Sequence, residues 1–170
     1  MSLLVPFDQY AWPMKSKEHR PYSHQKETTV FVLRNKRAFI LNDLGTGKTL
    51  SALWAADFLM LNGRIKKVLI SSPLSTLKSV WGNEIFFNFM HRKCAVAHGR
   101  RDEREYAIRS KVDFVIINHD GLITMEQELI REKFDVMIID ELTYFKNHKT
   151  ERYKSAKKIA DKCKAVWGMT

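Results

Sequence analysis

The sequence predicts an α/β fold in three layers, a central and mainly parallel sheet with helices on both faces. Three observations predict it. Short runs that are apolar almost throughout recur along the chain, which is how strands read when both faces of a sheet are covered. Helix-patterned segments separate them, as the crossovers between parallel strands require. No repeat, low-complexity tract or linker divides the 170 residues, a length suited to one well-cored domain.

In chain order, residues 1–20 read as an irregular N-terminal segment punctuated by Pro6 and Pro13, with Pro21 just beyond. Tyr22–Leu33 reads as a helix. "RAFILN" (Arg37–Asn42) is the first strand, followed by a helix from about Gly47 to Leu61. Lys67–Ser72 is the second strand, with a single helix expected from about Leu74 to Met90. Cys94–Gly99 is the third strand and the charged Arg100–Arg109 the next helix; Asp113–Asn118, Asp135–Asp140 and Lys164–Gly168 complete the sheet. Trp54, Trp81 and Phe86–Phe87 fall at core-like helical positions and read as packing. Cys94 and Cys163 each lie in an apolar run that reads as a buried strand.

Lys and Arg number 29 against 19 Asp and Glu, a formal net charge of +10. That balance favours a polyanionic partner, and no lipid-binding helix stands out, so nucleic acid comes ahead of a membrane. The N-terminus lacks the basic start and long apolar core of a secretory signal, and no run approaches the roughly 20 apolar residues of a membrane span. A cytoplasmic or nucleoid-associated protein is expected, neither secreted nor membrane-bound.

The chemistry is carried first by Asn42-Asp43-Leu44-Gly45-Thr46-Gly47-Lys48-Thr49. It follows the phosphate-loop pattern G-x-x-x-x-G-K-[ST] except for Asn at the first position, and it lies between a strand and a helix, where a cradle belongs. Gly45 and Gly47 let backbone N–H groups around Thr46 turn toward a phosphate, and the helix N-terminus adds its dipole. Lys48 would reach the β- and γ-phosphates and the Thr49 hydroxyl would hold Mg²⁺. About ninety residues on, "DVMIIDEL" ends an apolar strand in Asp140 and Glu141. Asp140 is assigned to the metal and Glu141 to the base that polarises an attacking water.

These motifs keep company that resembles a family. In order, "PYSHQKE", "NDLGTGKT", "ISSPLSTLKSVWGNEI", "VAHGRRDER", "VIINHDGL" and "IIDELTYFKN" are similar to successive motifs of the first RecA-like lobe of superfamily 2 helicases and translocases, most closely the Swi/Snf-like branch. The resemblance covers Pro21 to Thr170 and implies a P-loop NTPase lobe over 21–170 that uses ATP and Mg²⁺, with a second RecA-like lobe and its arginine fingers outside this chain. It implies that Gln25 reads the adenine edge. Pro73, Leu77, Trp81 and Glu84 match the family's segment after the second strand. Thr143 stands where the family has His, His119 where an aromatic is common, and Asn42 and Asp43 where it has two acids. Thr143 and Thr170 are implied to couple the ATP site to nucleic acid, and Thr170 resembles the first Thr of the family's "LTGTP". Ser72, Ser75, Thr76, Lys78 and Asn118 are implied to meet a nucleic-acid backbone, duplex DNA favoured, in a largely sequence-neutral way.

Plainer readings stand beside these. Ser72 or Ser75 could cap a helix, and Tyr22 could be a packing staple rather than a base-stacking ring. His91, Cys94 and His98 have a tempting spacing but no fourth metal ligand. The lysines between Lys146 and Lys164 read as a solvated helix face. At the level of function, the alternatives are a complete small phosphate-loop NTPase such as a kinase-like enzyme, and a non-catalytic nucleic-acid-binding module. The lobe by itself is expected to be monomeric and nearly inactive.

Overall fold

The computed structural model describes residues 5–16, 20–42 and 45–170. Asp43, the second of the two residues standing in place of acids, lies outside them. The sheet contains β1 (Arg37–Ile40), β2 (Val68–Ser72), β3 (Cys94–Ala97), β4 (Phe114–Asn118), β5 (Val136–Ile139) and β6 (Ala165–Met169). All neighbours pair in parallel, in the order β1-β6-β5-β2-β4-β3. Every strand therefore ends on one edge, and the loops that leave that edge meet there.

Alternation along the strands sends side chains to two separate cores. Val68 and Ile70 of β2 join Trp54, Trp81 and Phe89 on one face, while Leu69 joins Ile108, Leu129 and Ile159 on the other. The first face is covered by α1 (Ser23–Arg34), α2 (Lys48–Leu61) and α3 (Asn83–Asn88), and the second by α4 (Arg101–Arg109), α5 (Gly121–Thr124), α6 (Glu126–Glu132) and α7 (Glu151–Ala160). Helix α2 is apolar nearly all round and is correspondingly enclosed, with Ala52 to Ala56 fully buried.

Residues 5–16 are irregular, as expected, yet they are fastened to the first face. The Tyr10 hydroxyl donates to Asp57 Oδ2 at 2.7 Å, and Trp54 Nε1 donates to the Pro13 carbonyl at 2.8 Å. Asp57, fully buried in α2, also accepts from Arg92 Nε at 2.6 Å and lies 2.8 Å from His91 Nε2. A buried carboxylate is tolerated only with such partners.

Three expectations are corrected. The single helix over 74–90 is broken into a 3₁₀ turn (Leu74–Thr76), a π-helical turn (Leu77–Gly82) and α3. Its buried positions are Leu77, Trp81, Ile85 and Phe89, spaced four apart, so Phe86 and Phe87 point away and are 69% and 41% exposed rather than packed. Cys163 lies in the turn after α7, outside any strand; burial pushes its thiol up to about 12. Of the lysines of 146–164, Lys154 pairs with Glu151, Lys157 with Asp161, Lys158 with Glu126 and Lys164 with Asp135, each still more than half exposed, which agrees with a solvated face.

Candidate nucleotide and nucleic-acid site

The phosphate loop leaves β1 at the strand-end edge. Gly45 (φ 77°) and Gly47 (φ 78°) both adopt left-handed backbone, which an L side chain resists by roughly 1–2 kcal/mol. The position a Cβ would take at Gly45 opens on empty space, whereas at Gly47 it would run into the Gln25 amide. Thr46 lies between the two glycines, and Lys48 and Thr49 form the first turn of α2. Lys48 Nζ donates to the Asn42 carbonyl at 2.6 Å, so the lysine folds back over the loop; Asn42 Nδ2 is held by Thr28 Oγ1 at 3.0 Å. Asn at the first motif position thus ties the loop to α1.

Gln25 is buried beneath this loop. Its Oε1 accepts from Tyr22 N at 3.0 Å and its Nε2 donates to the Thr46 carbonyl at 3.2 Å, which leaves a second amide hydrogen and lone pair. Tyr22 is 67% exposed and so is no packing staple; its ring stacks on His24, centroids 5.6 Å apart, and His24 Nε2 lies 3.1 Å from the Thr46 carbonyl.

Asp140 and Glu141 follow β5 at the same edge, two strand positions from β1. Between them, at the end of β6, Thr170 N donates to the Ile40 carbonyl at 3.3 Å. The Asp140 carboxylate is fixed at both oxygens, Oδ1 by Glu141 N at 3.0 Å and Oδ2 by Trp81 Nε1 at 2.9 Å. Glu141 itself has φ 51° and ψ 59°, a left-handed conformation costly for a residue with a side chain and characteristic of functional turns. Carboxylate and hydroxyl oxygens from Asp140 and Thr49 are the hard donor set Mg²⁺ takes, and an open glycine cradle ahead of a helix N-terminus fits phosphate.

Further along the edge, Ser71 Oγ lies 2.8 Å from His119 Nδ1. His119 packs against Tyr144 and Phe145, with centroids 5.1 and 4.9 Å away. Burial first, then the charge of Arg152, pushes its pKa down to about 4 against smaller opposing effects of Asp120 and the Asp140 backbone, so the ring is neutral at pH 7. His119 Nε2 and Asn118 Oδ1 are buried without a hydrogen-bond partner among the described residues. Thr143 is exposed and shares with Thr170 an apolar cleft of about 440 Å³ that also includes Phe39, Leu142 and Tyr153.

The nucleic-acid set is divided. Ser75 and Lys78 are exposed and Thr76 is half-buried. Ser72 is fully buried with its hydroxyl 3.4 Å from the Pro73 carbonyl, so its side chain is withdrawn from any backbone contact. Neither serine caps a helix; Pro73 holds that position, and Thr76 Oγ1 donates back to its carbonyl at 3.0 Å. Sequence reasoning took Trp81 as packing and passed over Ser71, and in neither case does the residue type alone reveal the hydrogen bond.

The family described as "Type III restriction enzyme, res subunit" matches residues 18–170. The chain belongs to this family. Its fold is that of a RecA-like helicase lobe, and it is similar to helicases and Swi/Snf-like proteins. It is 27% identical over 166 residues to the uncharacterized ATP-dependent helicase YqhH of Bacillus subtilis (strain 168), covering 95% of this chain and 28% of that protein. It is also 27% identical over 140 residues to the Caenorhabditis elegans homolog of SWI/SNF-related matrix-associated actin-dependent regulator of chromatin subfamily A-like protein 1, covering 81% of this chain and 19% of that one. The Sulfolobus solfataricus SWI2/SNF2 ATPase core in complex with dsDNA superimposes with a TM-score of 0.80 at 22% identity, over 100% of this chain and 34% of that one. The UvsW helicase of bacteriophage T4 gives 0.74 at 19% identity, over 98% and 60%. The chain spans under a third of both relatives matched by sequence.

Proposed function

We propose that this chain is the ATP-binding lobe of a DNA-dependent ATPase that couples hydrolysis to movement along a nucleic-acid duplex. One observation carries the reading: the glycine loop with Lys48 and the Asp140–Glu141 pair stand at the same sheet edge with Thr170 between them. In this reading Gly45, Thr46 and Gly47 present backbone N–H groups to the phosphates, and Lys48 exchanges the Asn42 carbonyl for phosphate oxygen. Thr49 and Asp140 hold Mg²⁺, which when bound neutralises charge on the phosphates. Glu141 takes the proton of the attacking water. Gln25 has an amide hydrogen and a lone pair left for an adenine edge, which favours ATP.

Ser75, Thr76 and Lys78 would set register on the duplex backbone, and Thr143 and Thr170, lining one cleft, would pass the state of the nucleotide to it. A second lobe would contribute arginine, worth about 10³–10⁵ in rate for phosphoryl transfer. No helix among the described residues is long and apolar enough to cross a membrane; the reading takes the lobe as a monomer in the cytoplasm or nucleoid.

The test is ATP binding and hydrolysis by this chain, with and without duplex DNA, beside Glu141→Gln. Nucleotide binding with almost no turnover, DNA present or absent, is expected. Brisk turnover lost in Glu141→Gln would instead identify a complete small NTPase, and salt-sensitive DNA binding indifferent to nucleotide a non-catalytic module.

A further inference from the structure

We propose that Trp81 is a positioning residue for the metal carboxylate: its indole N–H fixes Asp140 in the orientation that receives Mg²⁺. The proposal rests on the reading of Asp140 as a metal ligand and goes beyond it to a residue on another element.

Trp81 is fully buried, and with Ile85 and Phe89 it forms the apolar stripe under the sheet. Packing accounts for the size of the side chain, yet a phenylalanine would fill most of that space without bringing a donor. A buried indole N–H needs an acceptor, and a backbone carbonyl ordinarily serves. Trp54 and Trp167 follow that pattern, donating to the carbonyls of Pro13 and Asn35. Trp81 instead donates to the Asp140 carboxylate at 2.9 Å, across 59 residues of sequence.

The second carboxylate oxygen takes Glu141 N at 3.0 Å, so the two donors together leave the carboxylate little freedom to rotate. Each oxygen keeps a lone pair for a cation. The donor is carried on the π-helical turn Leu77–Gly82, a geometry that recurs at functional sites. The outward side of the same turn bears Lys78, exposed to solvent. Groups that orient a metal ligand from outside typically change metal affinity by about 10–100-fold when removed.

The experiment is a Mg²⁺ titration of fluorescent ATP-analogue binding to the 170-residue chain, its Trp81→Phe variant and its Asp140→Asn variant, with a Mg²⁺-free arm and a thermal melt for each. Trp81→Phe should melt as a folded protein, bind the analogue unchanged without Mg²⁺, and require about tenfold more Mg²⁺ for the metal-dependent gain. The Trp81→Phe, Asp140→Asn double variant should be no worse than Asp140→Asn alone. A Mg²⁺ requirement unchanged in Trp81→Phe but raised in Asp140→Asn would overturn the proposal and leave the indole as packing. A requirement unchanged in both would remove Asp140 from the metal site and the proposal with it. Should Trp81→Phe fail to fold, the same titration on the donor-free Trp81→Met takes its place, a raised Mg²⁺ requirement sustaining the proposal and an unchanged one overturning it.

Discussion

At the residue scale the two loop glycines show how a short motif carries unequal constraints. Both need left-handed backbone, so Ala at either position costs roughly 1–2 kcal/mol from the backbone alone. At Gly45 nothing meets the added methyl, but at Gly47 it displaces the Gln25 amide from the Thr46 carbonyl. A lost hydrogen bond adds about 1 kcal/mol. Gly47→Ala should therefore lower stability by about 1 kcal/mol more than Gly45→Ala in urea unfolding; equal losses would mean the Gln25 contact contributes nothing. The pattern "GTGKT" announces both glycines, since their chemistry is local. It says nothing of Gln25 lying beneath the second one, because that contact joins the loop to a residue of α1 more than twenty positions earlier. The same distinction explains Trp81 and Ser71, whose partners Asp140 and His119 are about fifty or more residues away in sequence.

At the element scale strands were legible because β2, β4 and β5 are buried, nearly continuous runs and the more exposed β1 and β3 are still largely apolar, and their ends shifted by only a residue or two. The segment after β2 was not. Its apolar residues fit a helical stripe through either Phe86–Phe87 or Trp81, Ile85 and Phe89, and the π-helical turn that selects the second leaves no periodic signature. The two short helices α5 and α6 escaped for the same reason, being too brief to show a period. Asp135, at the opposite edge, ties three strand entries together. Its carboxylate accepts from Lys66 N at 2.6 Å and Lys67 N at 3.3 Å, and pairs with Lys164 Nζ at 2.8 Å. Burial alone would raise its pKa; the bonds from Lys164 and the two N–H groups outweigh that and hold it below the usual carboxylate range. The folded value lies below the unfolded one, about 3.9, so the stabilisation is complete above that value and fades as pH falls through the folded pKa. Asp135→Asn should cost about 1–3 kcal/mol at pH 7. Urea midpoints measured from pH 7 down toward 3 should show the gap to the unchanged chain closing; a constant gap would mean the charge is immaterial.

At the scale of the whole molecule, a formal charge of +10 invites the expectation of an extensive polyanion-binding face, and the ion pairs reduce it. Lys67, Arg92, Arg101, Arg152, Lys157, Lys158 and Lys164 each have a carboxylate partner. Near the proposed track, the exposed Ser75 and Lys78 and the half-buried Thr76 remain beside the strand-end edge, enough for a few phosphates rather than a long footprint. Each phosphate neutralised by a cationic side chain contributes about −0.9 to the slope of log affinity against log salt on duplex DNA, so Lys78 as the one cation of this set predicts roughly a three- to fourfold loss between 50 and 200 mM salt, the neutral hydroxyls adding none. Lys78→Ala should weaken binding alike on unrelated duplex sequences and flatten that slope by about one unit, because phosphate contacts carry no base information. A slope several times steeper, untouched by Lys78→Ala, would move the nucleic-acid face away from β2 and onto another surface of the lobe.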